Sequence, residues 1–209
     1  MATCHRIGLA SVLLSALAAR ADETRTFRVW HDGRRVGSAE MQMTVRDGLT
    51  EFATTIRVDE RTAVARYRYT FSGRETWRDG RAVELHSSAA EDGATFHLAF
   101  DARSGELTTN GRSRRIRGPV WPTTFAQATT PGPITLVDAD SGRLSEGRLD
   151  LVGSEIVRVI GKDVATTRYH VTGQRDVTLW YDAGGGLVRQ SWVVIGAEMV
   201  LELSDDRSK

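Results

Sequence analysis

The sequence predicts an all-β protein whose strands form an antiparallel meander, rolled into a curved open sheet or half-barrel. Apolar and polar residues alternate over most of the chain, as where Tyr67, Tyr69 and Phe71 are interleaved with polar positions. Asp-Gly pairs, which favour tight hairpin turns, separate the alternating runs. Beyond the N-terminal segment, no long stretch repeats its apolar positions with a helical period. We therefore expect at most one or two short helical turns.

The expected strands follow one another at short intervals, which is typical of a meander, a sandwich or an open barrel. In the first half of the chain the alternation is centred on residues 52–58, 63–71 and 96–100. In the second half it is centred on residues 177–181, 188–194 and 199–203. The turns between strands are expected at Asp32-Gly33, Asp47-Gly48, Asp79-Gly80, Asp92-Gly93, Ser104-Gly105, Ser141-Gly142 and the glycines 184–186.

Residues 1–21 are predicted to be a secretory signal peptide rather than part of the fold. A positive charge precedes an apolar run at residues 7–17, and Ala19 and Ala21 supply small residues for cleavage after Ala21. The apolar run is too short to cross a membrane as a helix. We expect an exported, periplasmic protein without a membrane span, whose single β domain is residues 22–209. The alternative is an apolar N-terminal helix that stays in the fold.

The middle of the chain interrupts the alternation and predicts a crossover between two β halves of that domain. The halves are residues 22–117 and 134–209, and all four prolines lie between them. A continuous sheet through both halves is expected rather than two separate domains. Within the crossover, Thr123 to Ala128 are expected to form one short helical turn, capped by a threonine after Pro122.

Four arginines form the one local concentration of charge: Arg112, Arg114, Arg115 and Arg117. They predict contact with an anionic surface, such as acidic lipid head groups, and the alternative is a solvated loop. The whole chain has 28 basic and 27 acidic residues. It therefore lacks the basic excess that a nucleic-acid partner requires.

The inventory of reactive side chains favours a non-catalytic protein. The histidines after residue 21, which are His31, His86, His97 and His170, do not have the spacing of a metal site, so we expect neither a metal nor a cofactor. The sequence after residue 21 has no cysteine and no G-x-S-x-G elbow for a nucleophile. The alternative is an enzyme of envelope lipid or glycan chemistry, in which Asp, Glu and His converge from separate strands.

Aromatic residues suggest what the curved sheet binds. A curved sheet that does not close leaves a concave face, which either fills with its own side chains or holds an apolar ligand. The residues expected near that face are Tyr67, Tyr69, Phe71, Phe96, Phe100, Trp121 and Phe125. The expected function is binding of an apolar or amphipathic ligand, or of an envelope partner, on the concave face. The alternative is an interaction module whose sheet is fully packed by its own side chains. The oligomeric state is not predicted.

Three segments resemble an uncharacterised bacterial family, domain of unknown function 6134. They are the opening FRVWHDGRRVG at residues 27–37, the central YRY and ETWRDGR at residues 67–81, and the late RYHVTG and LWYD at residues 168–182. A related exported group, domain of unknown function 3108, shares the opening glycine pattern and the Trp-x-Asp-Gly hairpin. The resemblance implies an exported, mainly antiparallel β protein, and it assigns no catalytic residue.

Overall fold

A computed structural model describes residues 22–61, 66–173 and 176–204. They form fifteen strands in one sheet. The first eight are β1 (Glu23–His31), β2 (Arg34–Arg46), β3 (Leu49–Arg61), β4 (Arg66–Arg78), β5 (Arg81–Glu91), β6 (Ala94–Asp101), β7 (Glu106–Thr109) and β8 (Arg112–Arg115). The others are β9 (Trp121–Pro122), β10 (Gly132–Val137), β11 (Leu144–Val159), β12 (Lys162–Thr172), β13 (Val177–Asp182), β14 (Leu187–Val194) and β15 (Ala197–Ser204). The predicted signal peptide and its cleavage site lie outside the described residues.

The strand order joins the two halves of the chain at the centre of the sheet. The order is β8-β7-β6-β5-β4-β3-β2-β1-β15-β14-β13-β12-β11-β10-β9, so the first and last strands are neighbours. They pair antiparallel from Thr26 opposite Ser204 to His31 opposite Met199. All neighbouring pairs are antiparallel except β9 and β10, which are parallel. The predicted all-β, mainly antiparallel and open sheet is confirmed.

The Asp-Gly turns have the conformation that the sequence predicts. Asp32-Gly33, Asp47-Gly48, Asp79-Gly80 and Asp92-Gly93 all have positive φ at both residues. This is the geometry of a type I′ turn, whose twist matches that of the flanking strands. Ile160-Gly161 and Ile195-Gly196 also have positive φ at both residues. These two turns were not predicted, because a β-branched residue with positive φ is uncommon.

The sheet rolls until the regions near its two edges pack against each other, but no backbone hydrogen bonds between the edge strands close it into a barrel. The edges are the short strands β8 and β9. A cluster of buried side chains from β5, β6, β7, β10 and the crossover joins these two regions: Leu85, Leu98, Phe100, Leu107, Val120 and Val137. The Ser87 hydroxyl also donates a hydrogen bond of 2.6 Å to the Ala139 carbonyl, which follows β10. The result is an open half-barrel whose two edge regions are in contact through side chains.

The crossover between β8 and β10 contains no helix in the part of the chain that the structure describes. Where a short helical turn was expected, the Phe125 amide donates to the Pro122 carbonyl at 3.1 Å, and Phe125 has a φ of 51°. This is a tight turn that positive φ prevents from continuing as a right-handed helix. Within the described ranges, no helix long and apolar enough to cross a membrane is present.

Candidate functional site

A cavity of about 560 Å³ lies inside the rolled sheet and is the candidate functional site. Inward-facing side chains from both halves of the chain form its walls. Its apolar lining includes Phe27, Val29, Met41, Ile56, Val177 and Leu201. The volume lies within the range of roughly 300 to 1,000 Å³ that is usual for small-molecule sites.

The cavity opens at one end of the roll, where several strands terminate, and we call this the open end. His31 ends β1, Glu60 lies one residue before the end of β3, and Glu91 ends β5. All three line the cavity. They lie at the same end of the roll because antiparallel neighbours reverse direction at each turn, so that β1, β3 and β5 run the same way. Ile195, in the turn between β14 and β15, also lines this opening and is fully exposed.

The opposite end of the roll is filled by the crossover, and we call it the closed end. Trp121, Phe125 and Ala126 are buried in the main core cluster. The Trp121 and Phe125 rings pack edge to face with their centroids 4.9 Å apart. The Trp121 Nε1–H donates to the Gln127 carbonyl at 2.9 Å, and the Tyr181 hydroxyl donates to the Phe125 carbonyl at 2.8 Å. Side-chain packing and hydrogen bonds therefore fix the crossover between the two halves of the sheet.

A buried carboxyl group, that of Glu75, ties the crossover to the sheet at the closed end. The Trp77 Nε1–H donates to Glu75 at 2.9 Å, and the Thr124 hydroxyl donates to its other oxygen. Glu75 is only 1% exposed. Burial raises the pKa of this carboxyl to about 7, although both hydrogen bonds act in the opposite direction.

Two tyrosines support carboxylates at the open end. The Tyr67 hydroxyl donates to Glu91 Oε1 at 3.0 Å, and the Tyr69 hydroxyl donates to Asp140 Oδ1 at 2.6 Å. Burial and the neighbouring carboxylates raise the pKa of both phenols well above their usual value. The phenols therefore stay protonated and act as donors, so they orient the carboxylates without neutralising their charge.

A third carboxylate at the open end is shared by two basic side chains. Glu60 Oε2 lies 2.7 Å from His31 Nδ1, and the Arg34 guanidinium donates to Glu60 Oε1 at 2.5 Å. This contact fixes the orientation of the His31 ring beside the cavity. Among the described residues, no group of three His, Cys, Asp or Glu side chains is placed to hold a metal ion.

The structure brings together some of the aromatic residues that the sequence analysis selected. Tyr67, Tyr69, Phe71 and Phe125 line the cavity. Trp121 contacts Phe125 at the closed end, as described above. The other two aromatic residues do not line the cavity: Phe96 packs beside Phe71, and Phe100 lies in the cluster between the two sheet ends.

The arginine concentration lies on the edge of the sheet. Arg112, Arg114 and Arg115 belong to β8, and their side chains are exposed, as is that of Arg117. Alternation along the strand places Arg112 and Arg114 on one face and Arg115 on the other. The Arg114 guanidinium donates to the Gly142 carbonyl, which joins this edge to the loop after β10. Contact of these arginines with an anionic surface stays a prediction.

The position of these charges on an exposed edge predicts an effect on self-association. An unpaired edge strand is a template for pairing with another chain, and charged side chains oppose that pairing. We expect Arg112→Thr together with Arg115→Thr to form concentration-dependent oligomers in sedimentation velocity. Arg103→Ser, in the exposed turn before β7, is the matched control and is expected to sediment like the parent chain. An unchanged sedimentation profile for the double variant would contradict this role.

Several residues of the site were not selected from the sequence. Glu91 was not singled out, but it ends β5 and lines the cavity. Glu75 was not singled out, although it shares the inward alternation of Tyr69, Phe71 and Trp77 along β4. That alternation could have placed Glu75 on the same face as these three aromatic residues, because side chains two residues apart face the same side.

Comparison with known proteins gives a family and a fold. A family model described as Domain of unknown function (DUF6134) matches residues 27–204. No curated protein matches the chain. Among solved structures, the chain is similar to a beta-barrel-like protein of Domain of Unknown Function DUF1849 from Brucella abortus, with a TM-score of 0.60 and 12% identity. The similarity covers 88% of this chain and 95% of that one, and at this identity it shows the fold alone. Because the family model spans most of the sequence, the chain belongs to the family Domain of unknown function (DUF6134).

Proposed function

We propose that the chain is an exported periplasmic protein that binds an amphiphilic ligand inside its half-barrel, without catalysing a reaction. The observation that carries this proposal is the cavity of about 560 Å³, which has apolar walls and a polar opening. Such a site takes up the apolar part of a ligand and leaves its polar part near water.

The arrangement of the two ends supports this proposal. The crossover fills the closed end, so the cavity is a pocket rather than a channel through the roll. At the open end, the ligand enters between strand ends and turns, so no pair of strands has to separate. A sheet packed entirely by its own side chains would leave no such volume, which favours a binding protein over a purely structural module.

Binding can be tested with N-phenyl-1-naphthylamine, a neutral apolar probe whose fluorescence increases in apolar surroundings. We expect saturable binding to the parent chain. Ile56→Trp fills the cavity and is expected to weaken binding about tenfold, which corresponds to about 1.4 kcal/mol. Ile156→Trp makes the same substitution at a β11 side chain that is 71% exposed and does not line the cavity, and it is expected to bind like the parent.

Thermal unfolding of both variants checks that each is folded at the temperature of the titration. No saturable fluorescence with the folded parent chain would overturn the proposal. Equal binding by the parent and a folded Ile56→Trp variant would place the probe elsewhere and would also overturn it.

Export is a separate part of the proposal and rests on residues 1–21. We expect the chain to be recovered from the periplasmic fraction of a Gram-negative host with Asp22 as its first residue. The measurement is N-terminal sequencing of the fractionated protein. Recovery in the cytosol with the first twenty-one residues intact would contradict export.

One observation favours a second candidate function, that of an esterase-like enzyme. The contact of 2.7 Å between His31 and Glu60 has the geometry of a base and the carboxylate that orients it. With Nδ1 held by Glu60, the other ring nitrogen is available to activate water at the open end. Hydrolysis of p-nitrophenyl laurate by the parent chain, lost in His31→Gln, would support an enzyme. A rate equal in the two proteins would exclude it.

A further inference from the structure

The open end of the cavity has an uneven charge that points to one class of ligand. Four acidic residues line the cavity at this end: Glu60, Glu91, Asp138 and Asp140. In the part of the chain that the structure describes, no lysine or arginine belongs to this lining. The chain as a whole has 28 basic and 27 acidic residues, so the imbalance is local.

The surroundings of these carboxylates decide how much of the charge acts on a ligand. Glu60 is compensated by Arg34. Glu91 receives a hydrogen bond from a neutral phenol, and Asp138 receives one from the backbone amide of Asp140. Neutral donors leave the negative charge in place. A cleft with charges of one sign and apolar walls concentrates the electrostatic potential and attracts ligands of the opposite sign.

A second, independent observation lies deeper in the cavity, at Thr54. Its side chain lines the cavity and is only 5% exposed, and its hydroxyl has no hydrogen-bond partner within the described structure. Thr54 shares the inward alternation of Phe52, Ile56 and Val58 along β3. Opposite it on β4 is Gly73, which offers no side-chain acceptor. A buried hydroxyl without a partner costs about 1 to 3 kcal/mol, so an unpaired one that faces a cavity indicates a polar atom of a ligand.

The sheet register gives the separation between these two features. Glu91 lies opposite Tyr69, which in turn lies opposite Val58. Val58 lies four positions after Thr54 on β3, and at about 3.3 Å per residue this is about 13 Å. A ligand that uses both features therefore has polar groups at its two ends and an apolar part between them.

We propose that the cavity binds a cationic amphiphile, with its positive group beside Glu91 and Asp138, its apolar part inside the roll, and a distal hydrogen-bonding atom at Thr54. This inference rests on the proposed binding function and adds the charge and polarity of the ligand. The cation is attracted by carboxylates at the open end, and the distal atom satisfies the Thr54 hydroxyl.

The charge is tested with three amphiphiles that share a dodecyl-type tail and differ in the head group. Isothermal titration calorimetry below the micellar concentration compares dodecyltrimethylammonium, dodecyl maltoside and laurate. We expect the cation to bind about tenfold more tightly than the neutral maltoside, and laurate to bind most weakly. The advantage of the cation is expected to shrink as salt is added, because salt screens charges near the surface.

Matched variants connect the preference to the named carboxylates. Glu91→Gln combined with Asp138→Asn keeps the hydrogen-bond acceptors and removes the charge. We expect this variant to lose the preference for dodecyltrimethylammonium while its affinity for dodecyl maltoside stays unchanged. Glu106→Gln, at an exposed position on β7, is the control and is expected to keep the preference.

The distal contact is tested with the ω-hydroxylated form of dodecyltrimethylammonium. We expect the parent chain to bind it several-fold more tightly than the plain form, and Thr54→Val to remove the difference. If the parent and Thr54→Val discriminate equally, the distal contact is wrong.

The outcomes separate this inference from the proposed function. Equal affinity for all three head groups, or a preference for laurate, overturns the cationic ligand and leaves amphiphile binding in place. Failure of every amphiphile and of N-phenyl-1-naphthylamine to bind overturns both.

Discussion

Replacing Glu75 by glutamine is expected to remove a pH dependence of stability worth up to about 3 kcal/mol. Burial raises the pKa of the Glu75 carboxyl from its usual value of 4.5 to about 7 in the folded chain. Each pKa unit corresponds to about 1.4 kcal/mol, which gives this magnitude. Glutamine keeps the shape of the side chain and an acceptor for Trp77 or Thr124, but it does not ionise.

The sign of the effect follows from where the proton is bound. Between about pH 4.5 and pH 7 the folded chain holds the Glu75 proton and the unfolded chain has lost it. The contribution of Glu75 is therefore fully present below the lower value and is lost as the pH rises through the upper one. In Glu75→Gln the free energy of unfolding should change less over this interval, and at higher pH the variant should be more stable than the parent.

Urea unfolding at about pH 5 and about pH 8, followed by circular dichroism, measures this difference. Glu84→Gln on β5 is the control, because Glu84 is exposed and its removal is expected to leave the pH dependence of the parent. Equal pH dependence in the parent and Glu75→Gln would contradict the prediction. Lower stability of Glu75→Gln at both values would show that its hydrogen bonds matter more than its charge.

Glu75 also shows which part of the site the sequence could predict. The alternation along β4 and the Asp-Gly turn after it are local signals, and both are confirmed by the structure. Alternation places a residue on one face of a strand, but the direction in which the sheet rolls decides whether that face is buried. An inward carboxyl such as Glu75 or Glu60 is therefore found only when the whole roll is known.

The cavity was less predictable, since it depends on contacts between residues distant in sequence. Trp121 and Phe125 were grouped with the aromatic residues of the concave face, yet their place is set by the crossover filling the closed end. Phe100 was placed in the same group because its strand alternates, but it packs where the two sheet ends meet. Strand periodicity does not show where these three aromatic side chains pack, because that depends on how the crossover and the two edge regions of the sheet come together.

Gly37 is the residue whose replacement by alanine is expected to disturb the sheet most at a single point. It lies on β2 between Val29 of β1 and Val58 of β3. The first of these pairs adjoins a register shift between Val29 and Trp30. A Cβ atom at Gly37 would lie 2.1 Å from the Arg57 carbonyl oxygen and 3.0 Å from the Val58 Cα. Both are backbone atoms, so neither can move away without distorting the ladder.

The direction of the effect follows from the balance of two terms. Where alanine fits, a glycine-to-alanine change stabilises a protein by about 0.4 to 1 kcal/mol, because the unfolded chain loses conformational freedom. Overpacking costs about 1 to 3 kcal/mol even where side chains can adjust. At Gly37 the obstacle is backbone, so the steric cost exceeds the gain. We expect Gly37→Ala to lower the free energy of unfolding by about 2 to 3 kcal/mol.

Ser38→Ala, one residue further along β2, is the matched control. Its side chain is exposed, so the free energy of unfolding is expected to stay within about 0.5 kcal/mol of the parent. Urea unfolding at one fixed pH compares the three proteins. A Gly37→Ala variant as stable as the parent would mean that β2 and β3 separate at little cost.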